Sequence, residues 1–157
     1  MFTSGVDLVV KKCVLSPDSS DLQKSTMEVT MFSHVTIGSS DPSEASKFYD
    51  EVLGALGIDT FFKIEGAVAY GDATGPKTFI LKPFDGGPPA PGNGGHIAYS
   101  AKTRAQVDAF YAAAIKLGGT DEGAPGLRPH YHPNYYGAYV RDPEGNKIQA
   151  VCHSKNG

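Results

Sequence analysis

Apolar and polar positions along the chain alternate between two periods, and the sequence of periods is written twice. In residues 32–38, His34 and Thr36 fall on one face and Val35 and Ile37 on the other, the period-two pattern of a strand. Asp41 as N-cap, Pro42 at the first helical position and Glu44 three residues after the cap predict a helix start with a capping box. Ala45, Phe48, Tyr49, Val52, Leu53 and Leu56 then recur at helical spacing as one apolar stripe, which Gly57 ends. Residues 59–71 predict two short strands broken near Glu65 and Gly66, and 78–83 a third. Residues 84–94 are rich in Gly and Pro and read as a linker.

The second copy opens at Gly95 and His96, with Ile97 and Tyr99 alternating against His96, Ala98 and Ser100. Thr103 and Gln106 predict another capping box, and Val107, Phe110, Tyr111, Ala114, Ile115 and Leu117 a matching stripe. At a constant offset, His34 meets His96, Phe48 meets Phe110, Tyr49 meets Tyr111 and Leu53 meets Ile115. Residues 137–153 read as a strand, a DPEGN turn and a final strand. Aligning Gly75 with Gly145 sets Phe79 against Gln149. Residues 120–136, where another strand belongs, read instead as a loop broken by Gly and Pro.

The expected fold class is therefore α+β. Two tandem βαβββ modules, 31–83 and 95–153, pair within a single domain, 31–157, around a half-open mixed β-barrel-like cleft with the helices outside. His34, Thr36, Phe79, His96, Ala98 and Gln149 share the inner face on this reading. Residues 1–30 match nothing later; 7–15 have the pattern of a short strand and 16–26 are polar, so the segment reads as a weakly ordered N-terminal extension.

Composition narrows the function. The chain has 157 residues, 40 % hydrophobic and 20 % charged, with a formal net charge of −3. That balance suits a globular domain and invites neither nucleic acid nor an anionic membrane. No apolar run is long enough to span a bilayer, and the N-terminus lacks the pattern of a secretory signal. Two cysteines, Cys13 and Cys152, are too few for a disulfide framework, so a reducing, cytoplasmic setting is expected.

The segments HVTIGSSD, FYDEVLGALG, GGHIAYSAKTRAQVDAFYAAAIKLGG and APGLRPHYHPNYYGAYVRDPEGNKIQAVCH carry a family likeness over residues 32–153. The doubled pattern resembles the vicinal oxygen chelate superfamily, which includes glyoxalase I, extradiol dioxygenases and bleomycin- and fosfomycin-resistance proteins. It is most similar to the small glyoxalase-like proteins. The resemblance implies metal ligands on the first and last strands of each module. Those places hold His34 and His96, Gln149, and Phe79 where glyoxalase I has a Glu. It also implies a divalent metal (Zn, Ni, Mn or Fe), a small-molecule substrate and a homodimer.

Phenylalanine cannot bind a metal, and Gln149 removes the negative charge a carboxylate would supply. Two readings stay open. One is a metal-dependent enzyme of the lyase or isomerase type, lactoylglutathione lyase-like, acting on a small oxygenated substrate through His34, His96 and Gln149. An extradiol-type dioxygenase is disfavoured by the missing carboxylate. The other is a metal-free pocket that sequesters a small aromatic molecule, an antibiotic or toxin, against Phe79, Tyr99 and the tyrosines of the loop. In that loop Arg128 is a candidate anion clamp, His130 and His132 are candidate acid–base groups, and Tyr131, Tyr135 and Tyr136 are candidate pocket walls. Arg141 and Lys147 read as solvated charges of the last hairpin.

Overall fold

A computed structural model of the protein describes residues 31–155. The predicted extension, 1–30, lies outside the described residues. Module one runs β1 (His34–Gly38), α1 (Pro42–Gly54), β2 (Thr60–Ile64), β3 (Ala67–Tyr70) and β4 (Lys77–Leu81). Module two runs β5 (Ile97–Ser100), α2 (Arg104–Lys116), β6 (Thr120–Leu127), β7 (Tyr136–Arg141) and β8 (Lys147–Cys152). The two four-stranded sheets have the same order, β1-β4-β3-β2 and β5-β8-β7-β6. In each, the first strand pairs parallel with the last and the other pairs are antiparallel. The fold is thus α+β with two tandem βαβββ modules, and the sheets do not close into a barrel.

The local signals act as expected. Asp41 accepts hydrogen bonds from the Ser43 and Glu44 amides, and Pro42 begins α1. Glu44 does not complete the predicted box; its carboxylate pairs with Lys47 one turn on. Thr103 and Gln106 do form a reciprocal box at α2. Phe48, Tyr49, Val52 and Leu53 of α1 and Val107, Phe110 and Ala114 of α2 are buried in one cluster with Val68, Ile80, Val140 and Ile148. Ile115, placed in the stripe by the sequence, is exposed, because it sits about 100° round the helix from Ala114. The helices pack on each other, α1 on β3 and β4, and α2 on β6, β7 and β8, leaving the opposite sheet faces open.

One expectation is corrected. Residues 120–127 form a strand, β6, although they read as a loop. Its register with β7 shifts between Asp121 and Gly123 and again between Gly123 and Gly126. Those shifts leave Ala124 and Pro125 without a ladder partner, so Pro125 loses nothing by lacking an amide proton. Two bulges break the period-two pattern, which is why alternation fails to reveal the strand.

No ladder joins β1 to β5 among the described residues. The modules are tied instead by the DPEGN turn. Asp142, 4 % exposed, accepts from the Glu144 and Asn146 amides through Oδ1 and from Asn146 Nδ2 through Oδ2. The buried Tyr49 hydroxyl of α1 donates to the same Oδ2 at 2.7 Å. Asn146 Nδ2 also reaches Gly38 O, and Glu144 receives the Ser40 amide. Tyr49→Phe removes a buried donor from a buried carboxylate and should destabilise the protein by about 1–3 kcal/mol. Urea denaturation should show a lower midpoint with an unchanged slope.

Candidate functional site

Open faces of the two sheets differ in chemistry. On module one, Thr36 stands opposite Phe79 and Phe79 opposite Ala69. The Phe79 ring is held edge-on between His34, 5.3 Å away, and Phe62, 6.0 Å away. His34 Nδ1 meets Ser33 Oγ at 3.1 Å. This face is aromatic and packed by its own side chains.

On module two, Ala98 stands opposite Gln149 and Gln149 opposite Tyr139. Gln149 is 1 % exposed and both ends of its amide are engaged. Its Oε1 meets His96 Nε2 at 3.0 Å, and its Nε2 donates to the Tyr135 hydroxyl. Gly137 makes the last contact possible: a Cβ there would lie 3.2 Å from Gln149 Nε2 and 3.3 Å from Tyr135 Cε1. His96, Gln149 and Tyr135 so form a polar chain along the floor of a cleft of about 460 Å³. Glu122, Arg128, His130, Tyr131, Tyr139 and Lys147 complete its walls.

The β6–β7 hairpin shapes the rim. The Arg128 amide donates to Tyr135 O, the Tyr131 amide to Arg128 O and the Tyr135 amide to His132 O, so the predicted loop is an ordered hairpin tip. The Tyr131 ring lies tilted against His130, centroids 4.3 Å apart, and against Tyr135, 4.8 Å apart. Glu122 pairs with Arg141 at 2.7 Å and Lys147 at 3.0 Å, and these cations hold its carboxyl below the usual range. Arg141 and Lys147 are therefore paired rather than simply solvated. Burial raises the Tyr139 phenol, and the neighbouring Tyr135 phenol adds to the effect, so Tyr139 stays protonated.

The structure brings together six of the side chains singled out in the sequence: Arg128, His130, Tyr131, Tyr135, His96 and Gln149. It separates others. His132 turns to His153, with Nε2 and Nδ1 2.8 Å apart. Tyr136, the first residue of β7, points to the helix side, opposite to the preceding Tyr135; it donates to Asp108 and lies under Arg104. Tyr99 is buried and bonds Thr78, on the helix side of β5. Phe79 belongs to the other sheet.

His34 and His96 share only the wall of a second cavity, about 670 Å³, between the sheets. Of the three predicted ligands, His96 and Gln149 meet in the module-two cleft, whereas His34 lines only the second cavity. Among the described residues, no three His, Cys, Asp or Glu side chains gather as a metal site. Within this chain, His34 stands apart from the His96–Gln149 pair.

Glu122 and Tyr139 escaped the sequence reading, and Lys147 was read only as a solvated hairpin charge. Lys147 is two residues from Gln149 on β8, and Tyr139 is its cross-strand partner, so alternation extended across the hairpin finds both. Glu122 sits in a bulge, where parity carries no information.

Fold and cleft together define a two-module α+β protein with an open cleft lined by polar side chains on module two. The Glyoxalase/Bleomycin resistance protein/Dioxygenase superfamily matches residues 31–150, and the chain belongs to that family. A glyoxalase/bleomycin resistance protein from Albidiferax ferrireducens T118 is 40 % identical, with a TM-score of 0.73 over 78 % of this chain and 99 % of that one. A glyoxalase/bleomycin resistance protein/dioxygenase family enzyme from Burkholderia phytofirmans PsJN is 21 % identical, with a TM-score of 0.61 over 78 % and 98 % of the two chains. Lactoylglutathione lyase from Agrobacterium tumefaciens is 20 % identical, with a TM-score of 0.53 over 76 % and 90 %. These last two show the shared fold. A comparison with curated proteins found no match. No helix among the described residues is long and apolar enough to cross a membrane.

Tyr135→Phe strands the buried Gln149 N–H and should cost about 1–3 kcal/mol. Adding Gln149→Leu removes the stranded group and should recover part of that loss. A double-mutant cycle by urea denaturation measures the coupling.

Proposed function

We propose that this family member captures a small aromatic molecule in the module-two cleft without turning it over. The observation that carries the reading is the closed chain His96–Gln149–Tyr135. It commits the amide oxygen that would otherwise be offered to a metal and presents a finished hydrogen-bonded floor. A volume of about 460 Å³ is in the range of small-molecule sites. The Tyr131 ring, 60 % exposed at the rim, offers a face for stacking. The sequestering members of this superfamily give the reading its precedent; the chemistry of the cleft gives it its content.

A neutral probe, 2-naphthol, tests it. Saturation transfer from protein to probe should be seen with the wild type, and tyrosine ring resonances of the cleft should shift. Tyr131→Ala should weaken binding about fivefold, the equivalent of about 1 kcal/mol of ring stacking. Absence of any transfer, or an unchanged affinity in Tyr131→Ala, would remove the reading.

The metal-dependent reading has one observation in its favour: His96 borders both the cleft and the cavity that His34 lines. The two readings part on thermal stability, because a ligand that binds only the folded state raises it by mass action. With Zn²⁺, Ni²⁺, Mn²⁺ or Fe²⁺ in excess, capture without metal predicts an unchanged melting temperature and no stoichiometric metal in protein purified without chelator. A rise of several degrees with one of these ions would favour a metal-dependent lyase or isomerase acting on a small oxygenated substrate.

A further inference from the structure

Arg128 has an unusual seat. Its guanidinium folds back over the bulged strand β6, where Nη2 donates to Ala124 O at 2.8 Å and Nη1 to Leu127 O at 3.3 Å. The strand's composition makes the room: a Cβ on Gly126 would lie 2.9 Å from Nη1, closer than side-chain carbons approach such an atom. The guanidinium stands 6.0 Å from the Tyr139 ring centroid, and Lys147 Nζ stands 5.4 Å from the same centroid. Two cations therefore gather about one ring, and they are not equivalent. Lys147 is neutralised by Glu122, which also holds Arg141. Arg128 has no carboxylate within ion-pair reach among the described residues.

We propose that Arg128 selects the ligand's charge, so that the molecule held in the cleft is a planar aromatic monocarboxylate. The inference rests on the capture reading above and adds the class of ligand to it. A guanidinium seated beside a stacking wall matches a carboxylate on or next to an aromatic ring, because its planar fork donates to two oxygens in one plane. The charges lining the cleft are Arg128, Lys147 and Glu122, which leave one positive charge to be met. A monoanion meets it. A phosphate dianion would overshoot it and face the Glu122 carboxylate. The tyrosine pair at the rim supplies the flat apolar partner that a free inorganic anion cannot use.

The full chain can be titrated with three probes of stated chemistry: 2-naphthoate, the nearly isosteric neutral 2-naphthamide, and inorganic phosphate. Wild type should bind naphthoate about tenfold more tightly than naphthamide, the effect of one charge-assisted contact in a partly exposed cleft. Raising the salt concentration should weaken naphthoate and leave naphthamide unchanged. Arg128→Gln should weaken naphthoate far more than naphthamide and so close the gap between them. Gly126→Ala, which leaves the arginine in the chain but crowds its seat, should reduce the preference in the same direction. The salt comparison needs no variant, so it decides the question even if a variant fails to fold. Equal binding of naphthoate and naphthamide by the wild type would overturn the charge selection while leaving capture intact. Phosphate displacing naphthoate at lower concentration than naphthoate itself binds would overturn the carboxylate assignment. Loss of both naphthalene probes, with no binding at all, would overturn the capture reading together with this one.

Discussion

The buried bond from the Tyr49 hydroxyl to Asp142 is the constraint on which the two-module arrangement depends. A carboxylate with 4 % exposure is costly to bury unless its oxygens are engaged. Three donors come from within the DPEGN turn and the fourth comes from the other module. Burial pushes the Tyr49 phenol well up, and Asp142 beside it adds to the effect, so the tyrosine remains a donor throughout the ordinary pH range. The turn is thereby oriented against α1. Since no backbone ladder bridges β1 and β5, this side-chain junction and the shared apolar cluster hold the sheets in register. The pseudo-symmetric counterpart is not built. Asp72 caps its own exposed turn, and Tyr111 lies beside Asp121 instead.

From that junction to the cleft is one hairpin. β7 and β8, which flank the DPEGN turn, carry Tyr139, Lys147 and Gln149 on the open face and Val140, Ile148 and Ala150 on the helix side. Anchoring the turn and burying the helix side leave these three polar side chains little freedom. The hairpin tip that carries Arg128 is fixed next, through the ladder of β6 with β7. The buried carboxylate and the cleft are thus joined through continuous backbone pairing.

Much of this was legible in the chain because both structural periods were present and repeated. The strand–helix start at His34 and its copy at His96 placed β1, α1, β5 and α2, and the offset between the copies implied equal sheets. What escaped detection shares one cause. Bulges in β6 break alternation, so the strand, the inward position of Glu122 and the seat of Arg128 beside Gly126 were all invisible. Composition misleads at the same place: glycines that read as loop residues are the space into which an arginine folds. The placement of Tyr136 was lost differently. Counting aromatic residues in a loop assigns them to one surface, whereas Tyr135 and Tyr136 enter a strand and must separate to opposite faces.

Duplication lets the open faces of the two modules be compared place by place. Phe79 and Gln149 occupy equivalent places on the last strands, each opposite the first strand of its sheet. A phenyl ring at that place needs no hydrogen bond and makes edge contacts with His34 and Phe62. An amide at that place cannot be satisfied by packing. Buried, it demands a donor and an acceptor, and His96 and Tyr135 are the groups that answer. Their recruitment lays a polar floor and leaves the Tyr131, Tyr139 and Arg128 side chains to form walls rather than core. A single difference in side-chain chemistry between two copies of one module is thus enough to give one face aromatic edge contacts and the other a hydrogen-bonded polar chain.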